Sequence, residues 1–77
     1  MKLIDLKVGE TAKIIKIEKK IPSYRNKLLA MGLTPGTTFK LIRIAPLGDP
    51  IEIIVRGFSL ILRKKEADVL SIEKATL

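Results

Sequence analysis

The spacing of apolar residues changes character along the chain. Thr11 to Glu18, TAKIIKIE, alternates as a strand does, but Ala12 and Ile14 share one face while Ile15 and Ile17 share the other. Thr38 to Ala45, TFKLIRIA, repeats the change, with Phe39 and Leu41 on one face and Ile42 and Ile44 on the other. At an offset of 27 residues, Gly9/Gly36, Thr11/Thr38, Lys13/Lys40, Ile15/Ile42 and Ile17/Ile44 are identical. So few identities favour two similar strands after similar turns over an internal repeat. A strand whose buried face switches partway must bulge, bend or be covered on both faces.

Three more strands follow. Ile51 to Val55 alternates with Ile51, Ile53 and Val55 on one face. Gly57-Phe58 reads as a short hairpin connection, and Ser59 to Arg63 returns with Leu60 and Leu62 inward. Lys64 to Asp68, KKEAD, allows one turn of helix, with Glu66 and Asp68 expected in solvent. Val69 to Glu73 is the last strand, and Lys74 to Leu77 an expected frayed tail. Met1 to Val8 is an entry segment closing one end of the fold.

Between the first two long strands, Tyr24 to Gly36, YRNKLLAMGLTPG, predicts the one substantial helix. Ser23 is the expected N-cap. At roughly 100° per residue, Tyr24, Leu28 and Met31 fall on one face, the expected packing face. Gly32 suits a left-handed C′ position, with Leu33 at C″ placed to touch Leu28. Pro35-Gly36 then forms a turn, and Pro46 to Pro50, PLGDP, forms another around Gly48, Asp49 and Pro50. Five short strands with a helix inserted after the first long one must curl to bury one face, which predicts a mainly β, partly open small barrel.

Composition narrows the function. The chain has 77 residues, room for one domain with a single core. It has no Cys and no His, which excludes disulfides, thiolate or histidine metal sites and Cys/His nucleophile pairs. The hydroxyl residues therefore have no triad partner, the carboxylates are dispersed, and no Gly-rich phosphate motif is present. An enzyme is not expected, nor a bound cofactor. Asp5 and Lys7 interrupt the first apolar run, so no signal peptide is expected, and Glu52 and Arg56 interrupt the most apolar window, so no membrane insertion is either.

The formal charge of +7 favours partners of negative potential. Nucleic acid is one, since a small basic barrel can track a phosphate backbone. Stacking platforms are scarce, because Phe39 and Phe58 are expected in the core and Tyr24 stands alone. An anionic leaflet is another, and an acidic protein surface the third. Leu29, next to Arg25 at i+4, is either a flank of the core or an exposed apolar spot with a cationic rim, the composition of an interface anchor. Exposed strand edges in so short a barrel also leave self-association open.

Taken together, Tyr24-Arg25, Leu28-Leu29, Met31-Gly32, Pro35-Gly36, Ala45-Pro46-Leu47-Gly48-Asp49-Pro50 and Leu62-Arg63 carry a resemblance over nearly the whole chain. It resembles the ferrous iron transport protein A (FeoA) family of small bacterial cytoplasmic proteins. The resemblance implies a Src-homology-3-like (SH3-like) barrel. It implies a cytoplasmic accessory role in ferrous iron uptake beside FeoB, the membrane transporter that carries a cytosolic GTP-binding domain, with the helix and its neighbouring loops as the docking surface. On that expectation Arg25 and Leu29 touch the partner, while Tyr24, Leu28, Met31 and Leu33 hold the helix on the barrel. Gly32, Pro35, Gly36, Gly48, Asp49 and Pro50 set the turns. The family also carries a label of transition-metal binding.

Overall fold

A computed structural model describes residues 1–75. The strands are β1 (Thr11–Ile17), β2 (Thr38–Ile44), β3 (Ile51–Val55), β4 (Phe58–Leu62) and β5 (Leu70–Lys74). Helix α1 (Pro22–Ala30) lies between β1 and β2, and the single turn α2 (Lys64–Ala67) lies between β4 and β5. All strands form one antiparallel sheet in the order β4-β3-β2-β1-β5. The expected five-stranded small α+β architecture is therefore observed. β5 is displaced by one residue from its expected span, and Thr76 and Leu77 of the expected tail lie outside the described residues.

The change of face in β1 and β2 is a pair of bulges. The register of β1 against β5 shifts between Ile14 and Lys16, and that of β2 against β3 shifts between Leu41 and Arg43. Each bulge adds one residue to its strand, so the residues beyond it turn to the other side. Ile14 is fully buried, Ile15 is exposed, and Ile17 is buried again.

The 27-residue offset has a structural meaning. The Gly9 N–H donates to the Leu41 carbonyl (2.7 Å), and the Leu41 N–H donates to the Glu10 carbonyl (3.0 Å). Exchanging each residue for its offset partner gives the second pair: Gly36 N–H to Ile14 carbonyl (2.7 Å) and Ile14 N–H to Thr37 carbonyl (2.8 Å). Ala12 pairs with Phe39, itself an offset pair, at the centre of this exchange. The hydrogen-bond pattern of the two strands thus has a local two-fold, and the bulge residues Ile15 and Ile42 are equivalent under it.

Leu3, Ala12, Ile14, Leu28, Leu33, Leu41, Ile53, Leu62 and Leu70 are fully buried, with Phe39 beside them. Each large side chain so buried contributes about 1.5–3 kcal/mol against the entropy of ordering the chain. The entry segment is a 3-10 turn (Leu3–Asp5) that buries Leu3 and Leu6, and the Met1 carbonyl accepts the Ile72 N–H (2.9 Å) on the outer side of β5.

Candidate partner-docking site

Helix α1 begins earlier than the polar pattern predicts. Its N-cap is Ile21, and Pro22 occupies the first helical position, where its fixed φ suits the helix and its missing N–H is no loss. Ser23 lies inside the helix and caps nothing, which corrects the expected N-cap.

The helix end matches its expectation. Gly32 has φ +86°. Its N–H donates to the Leu29 carbonyl (3.0 Å), and the Leu33 N–H donates to the Leu28 carbonyl (3.0 Å). These are the two bonds of a Schellman stop, and buried Leu28 and Leu33 stand at its apolar contact positions. The next turn is closed by the Thr37 N–H on the Thr34 carbonyl (3.0 Å), with Pro35 and Gly36 (φ +93°) at its centre. The last carbonyl of the stop is taken from outside the helix: the Arg56 guanidinium donates to the Gly32 carbonyl (3.1 Å).

Among the helix residues expected to pack on the barrel, Leu28 is fully buried, and Tyr24 and Met31 are half-buried against the core. Leu29 is half-buried and also packs against the core. Arg25 is half-buried one turn before it, and its Nε is buried with no hydrogen-bond partner among the described residues. The helix thus presents Arg25 and Leu29 side by side on the rim of the buried face. In the second turn region, the Ala45 carbonyl accepts the Gly48 N–H (2.7 Å), the Pro50 carbonyl accepts the Ala45 N–H (3.0 Å), and Asp49 Oδ1 accepts the Lys64 N–H (3.1 Å). That last bond ties the β2–β3 loop to the start of α2.

Two residues depart from expectation. Glu66 is buried, at 6% exposure, where the charged run around it predicts solvent. One carboxylate oxygen accepts the Arg63 N–H (3.1 Å), and the other meets the Lys27 ammonium of α1 at 2.6 Å. Burial opposes ionisation of Glu66, but the bonds from Lys27 and the Arg63 backbone outweigh it and hold the carboxyl below its ordinary range. Phe58, expected in the core, is 72% exposed. The hairpin turn is Arg56-Gly57, one residue earlier than expected, so Phe58 belongs to β4 and stands at its outer end. The signal was the Gly: two-residue hairpin turns place Gly at the second central position, which puts the next residue in the strand.

The residues do not suit a resident transition metal. No cluster of three or more His, Cys, Asp or Glu side chains that could hold a metal occurs among the described residues, and the chain has neither Cys nor His. No described helix is long and apolar enough to cross a membrane.

The described residues form a small five-stranded α+β barrel with two bulged strands and one helix, whose rim carries Leu29 and Arg25. A family model described as "FeoA domain" matches residues 1–74, and the chain belongs to the FeoA domain family. A fused Fe(2+) transport protein A/Fe(2+) transporter FeoB of Porphyromonas gingivalis (strain ATCC BAA-308 / W83) is 30% identical over 73 residues, covering 95% of this chain and 8% of that protein. The chain therefore spans only a small part of that relative. The solution structure of a Chlorobium tepidum FeoA protein superposes with TM-score 0.88 at 37% identity, covering 99% of this chain and 71% of that one. A Stenotrophomonas maltophilia FeoA complexed with zinc, described as a prokaryotic SH3 domain protein, superposes with TM-score 0.81 over 95% of this chain and 89% of that one. Its 20% identity supports the shared SH3-like fold alone.

Proposed function

We propose that this protein is a non-enzymatic accessory protein of bacterial ferrous iron uptake, which docks on the cytosolic side of a FeoB-type membrane transporter and biases its state. The observation that carries the reading is the fusion: a relative 30% identical to this chain is one polypeptide with an Fe(2+) transporter. Covalent linkage raises the effective concentration of two domains for each other, and so fits partners that act together. The rim of α1 supplies a surface of suitable chemistry. Leu29 offers apolar area beside the core, and half-buried Arg25 offers a cation one turn away. Docking would act by unequal affinity for the transporter's states, since only a difference in affinity shifts an equilibrium.

The test is binding of labelled protein to the purified transporter in detergent, without nucleotide, with GDP and with a GTP analogue. Saturable binding that Arg25→Glu and Leu29→Asp each weaken is expected, with a preference for one nucleotide state. A folded protein that binds in none of the three conditions overturns the proposal.

A further inference from the structure

We propose that the outer edge of β4 accepts an extended segment of a partner protein, apolar in its middle and acidic at its ends, as an added strand. This proposal is independent of the helix-docking reading, and a different probe tests it.

The edge is open. Among the described residues β4 pairs with β3 alone, at one end of the sheet order. The Arg56-Gly57 turn, with φ of 50° and 82°, has the signs of a two-residue type I′ connection and makes Val55 and Phe58 its closing pair. Antiparallel alternation then turns the backbone groups of Phe58, Leu60 and Leu62 toward β3, and those of Ser59 and Ile61 outward. Among the described residues, nothing beyond the ladder bonds to the backbone N–H or carbonyl of Ser59 or Ile61.

The edge is also unguarded. Native sheets protect their edges with charge, proline or bulges. Each of the other strands carries a charged residue, but β4, FSLIL, carries none and contains no proline. Its register against β3 runs without a shift from Ile51–Leu62 to Val55–Phe58. The opposite edge differs: β5 contains Glu73 and Lys74, and Met1 already bonds to its Ile72. Apolar side chains flank the open edge on both faces. Phe58 is 72% exposed on the face of Leu60 and Leu62, and Ile61 is 52% exposed on the face of Ser59. An added strand therefore gains main-chain bonds and an apolar contact on each side.

Charge selects the occupant. Arg56 stands at one end of β4, and Arg63 and Lys64 stand at the other. A second copy joined edge to edge about a two-fold would set Arg56 of one chain toward Arg63 of the other at both ends, on two bodies of formal charge +7. Self-pairing is disfavoured for that reason. A strand with carboxylates at its ends meets a cation at each. The carboxylate nearest the middle of the edge, Glu52, is already held by Ser59 and Arg43.

The experiment uses the full isotope-labelled chain and the synthetic peptide Asp-Glu-Val-Thr-Val-Thr-Val-Glu-Asp, with a control in which every acidic residue is Lys. Saturable amide shifts centred on β4 are expected, together with slowing of Ser59 and Ile61 amide exchange by on the order of tenfold. The Lys-ended peptide should bind at least about tenfold more weakly. Ile61→Lys should abolish the response without lowering Tm, because that side chain is already half exposed. No shifts up to millimolar peptide, or equal responses to both peptides, overturn the proposal. Concentration-dependent protection of Ser59 and Ile61 in the chain alone also overturns it, by making a second copy the occupant.

Discussion

The Lys27 ammonium on α1 meets the Glu66 carboxylate on α2 at 2.6 Å, and this ion pair bridges the two helical segments across 39 positions of sequence. The pair is lopsided. The Glu66 side chain is 8% exposed, whereas that of Lys27 is 53% exposed. Removing Glu66 therefore leaves a solvated lysine, while removing Lys27 leaves a buried carboxylate with only the Arg63 N–H on it. Glu66 also closes the start of α2, where it does the work of a capping residue.

That asymmetry predicts how stability follows pH. Glu66, Glu10 and Glu18 all have carboxyl groups held below the ordinary value of 4.5. In Glu10 the leading cause is the hydrogen bond from Lys74, and in Glu18 the one from Lys2. Groups that ionise more readily when folded add stability that is complete above their unfolded value and disappears as pH falls through the folded value. Tm should therefore be flat from neutral pH down to about pH 5 and should fall below about pH 4.5. In Glu66→Gln the fall should be shallower, and Tm at neutral pH lower by several degrees, from a loss of about 1 kcal/mol. A Glu66→Gln curve parallel to wild type across the acid range would show that the pair contributes nothing to the linkage. Thermal scans by circular dichroism across that range decide it.

The two phenylalanines should behave oppositely. Phe39 is 2% exposed, at the centre of the β1–β2 two-fold, and Phe39→Ala should cost about 3–5 kcal/mol, enough to unfold much of so small a protein. Phe58→Ser should change stability by no more than about 0.5 kcal/mol, because the ring is already largely in water. Urea unfolding of both variants measures the contrast. Comparable losses would place Phe58 in the core.

The sequence carried most of the fold through local rules. The phase switch at Ile14-Ile15 and Leu41-Ile42 called for a bulge, a bend or cover on both faces, and bulges are present at both places. Gly32 and Leu33 specified the helix stop, because only a few residues and one contact define it. Position-by-position burial was less legible where the third dimension intervened. Glu66 looked solvated because its neighbours Lys64, Lys65 and Asp68 are charged, yet α2 folds it under α1 toward Lys27, a partner far away in sequence. Phe58 looked buried because aromatic residues usually are, but its fate depended on a one-residue placement of the turn. For Leu29, periodicity left core and surface equally open, and the structure places it between them: half-buried, in contact with the core.

That intermediate position predicts the behaviour of Leu29→Asp. A charge at the rim must keep its carboxylate in water while the contacts of the leucine with the core are lost. The variant should lose roughly 1–2 kcal/mol and remain folded at room temperature. Leu28→Ala, at a fully buried site one residue away, should lose about 2–5 kcal/mol. Docking should respond in the reverse order: binding to the transporter falls strongly in Leu29→Asp and much less in Leu28→Ala, when both are measured where they are folded. If binding instead tracks stability across the two variants, α1 acts through the fold and the contact surface lies elsewhere.

The contact between Arg56 and Gly32 gives a final prediction. A Cβ at Gly32 would lie 2.5 Å from the Arg56 guanidinium, whereas a Cβ at Gly36 would meet nothing within 4 Å. Both glycines have positive φ, so alanine at either should cost about 1 kcal/mol or more from backbone strain alone. Only Gly32→Ala also displaces a side chain and breaks its bond to the Gly32 carbonyl. Arg56 is flexible and exposed, so the guanidinium can move aside and the extra cost is the lost bond, about 0.5–1 kcal/mol. Gly32→Ala should thus be more destabilising than Gly36→Ala in the wild-type background, and the difference should vanish when Arg56→Ala is already present. A double-mutant cycle by urea unfolding measures that coupling. A coupling of zero would mean that the Arg56 bond to the helix end adds nothing to stability.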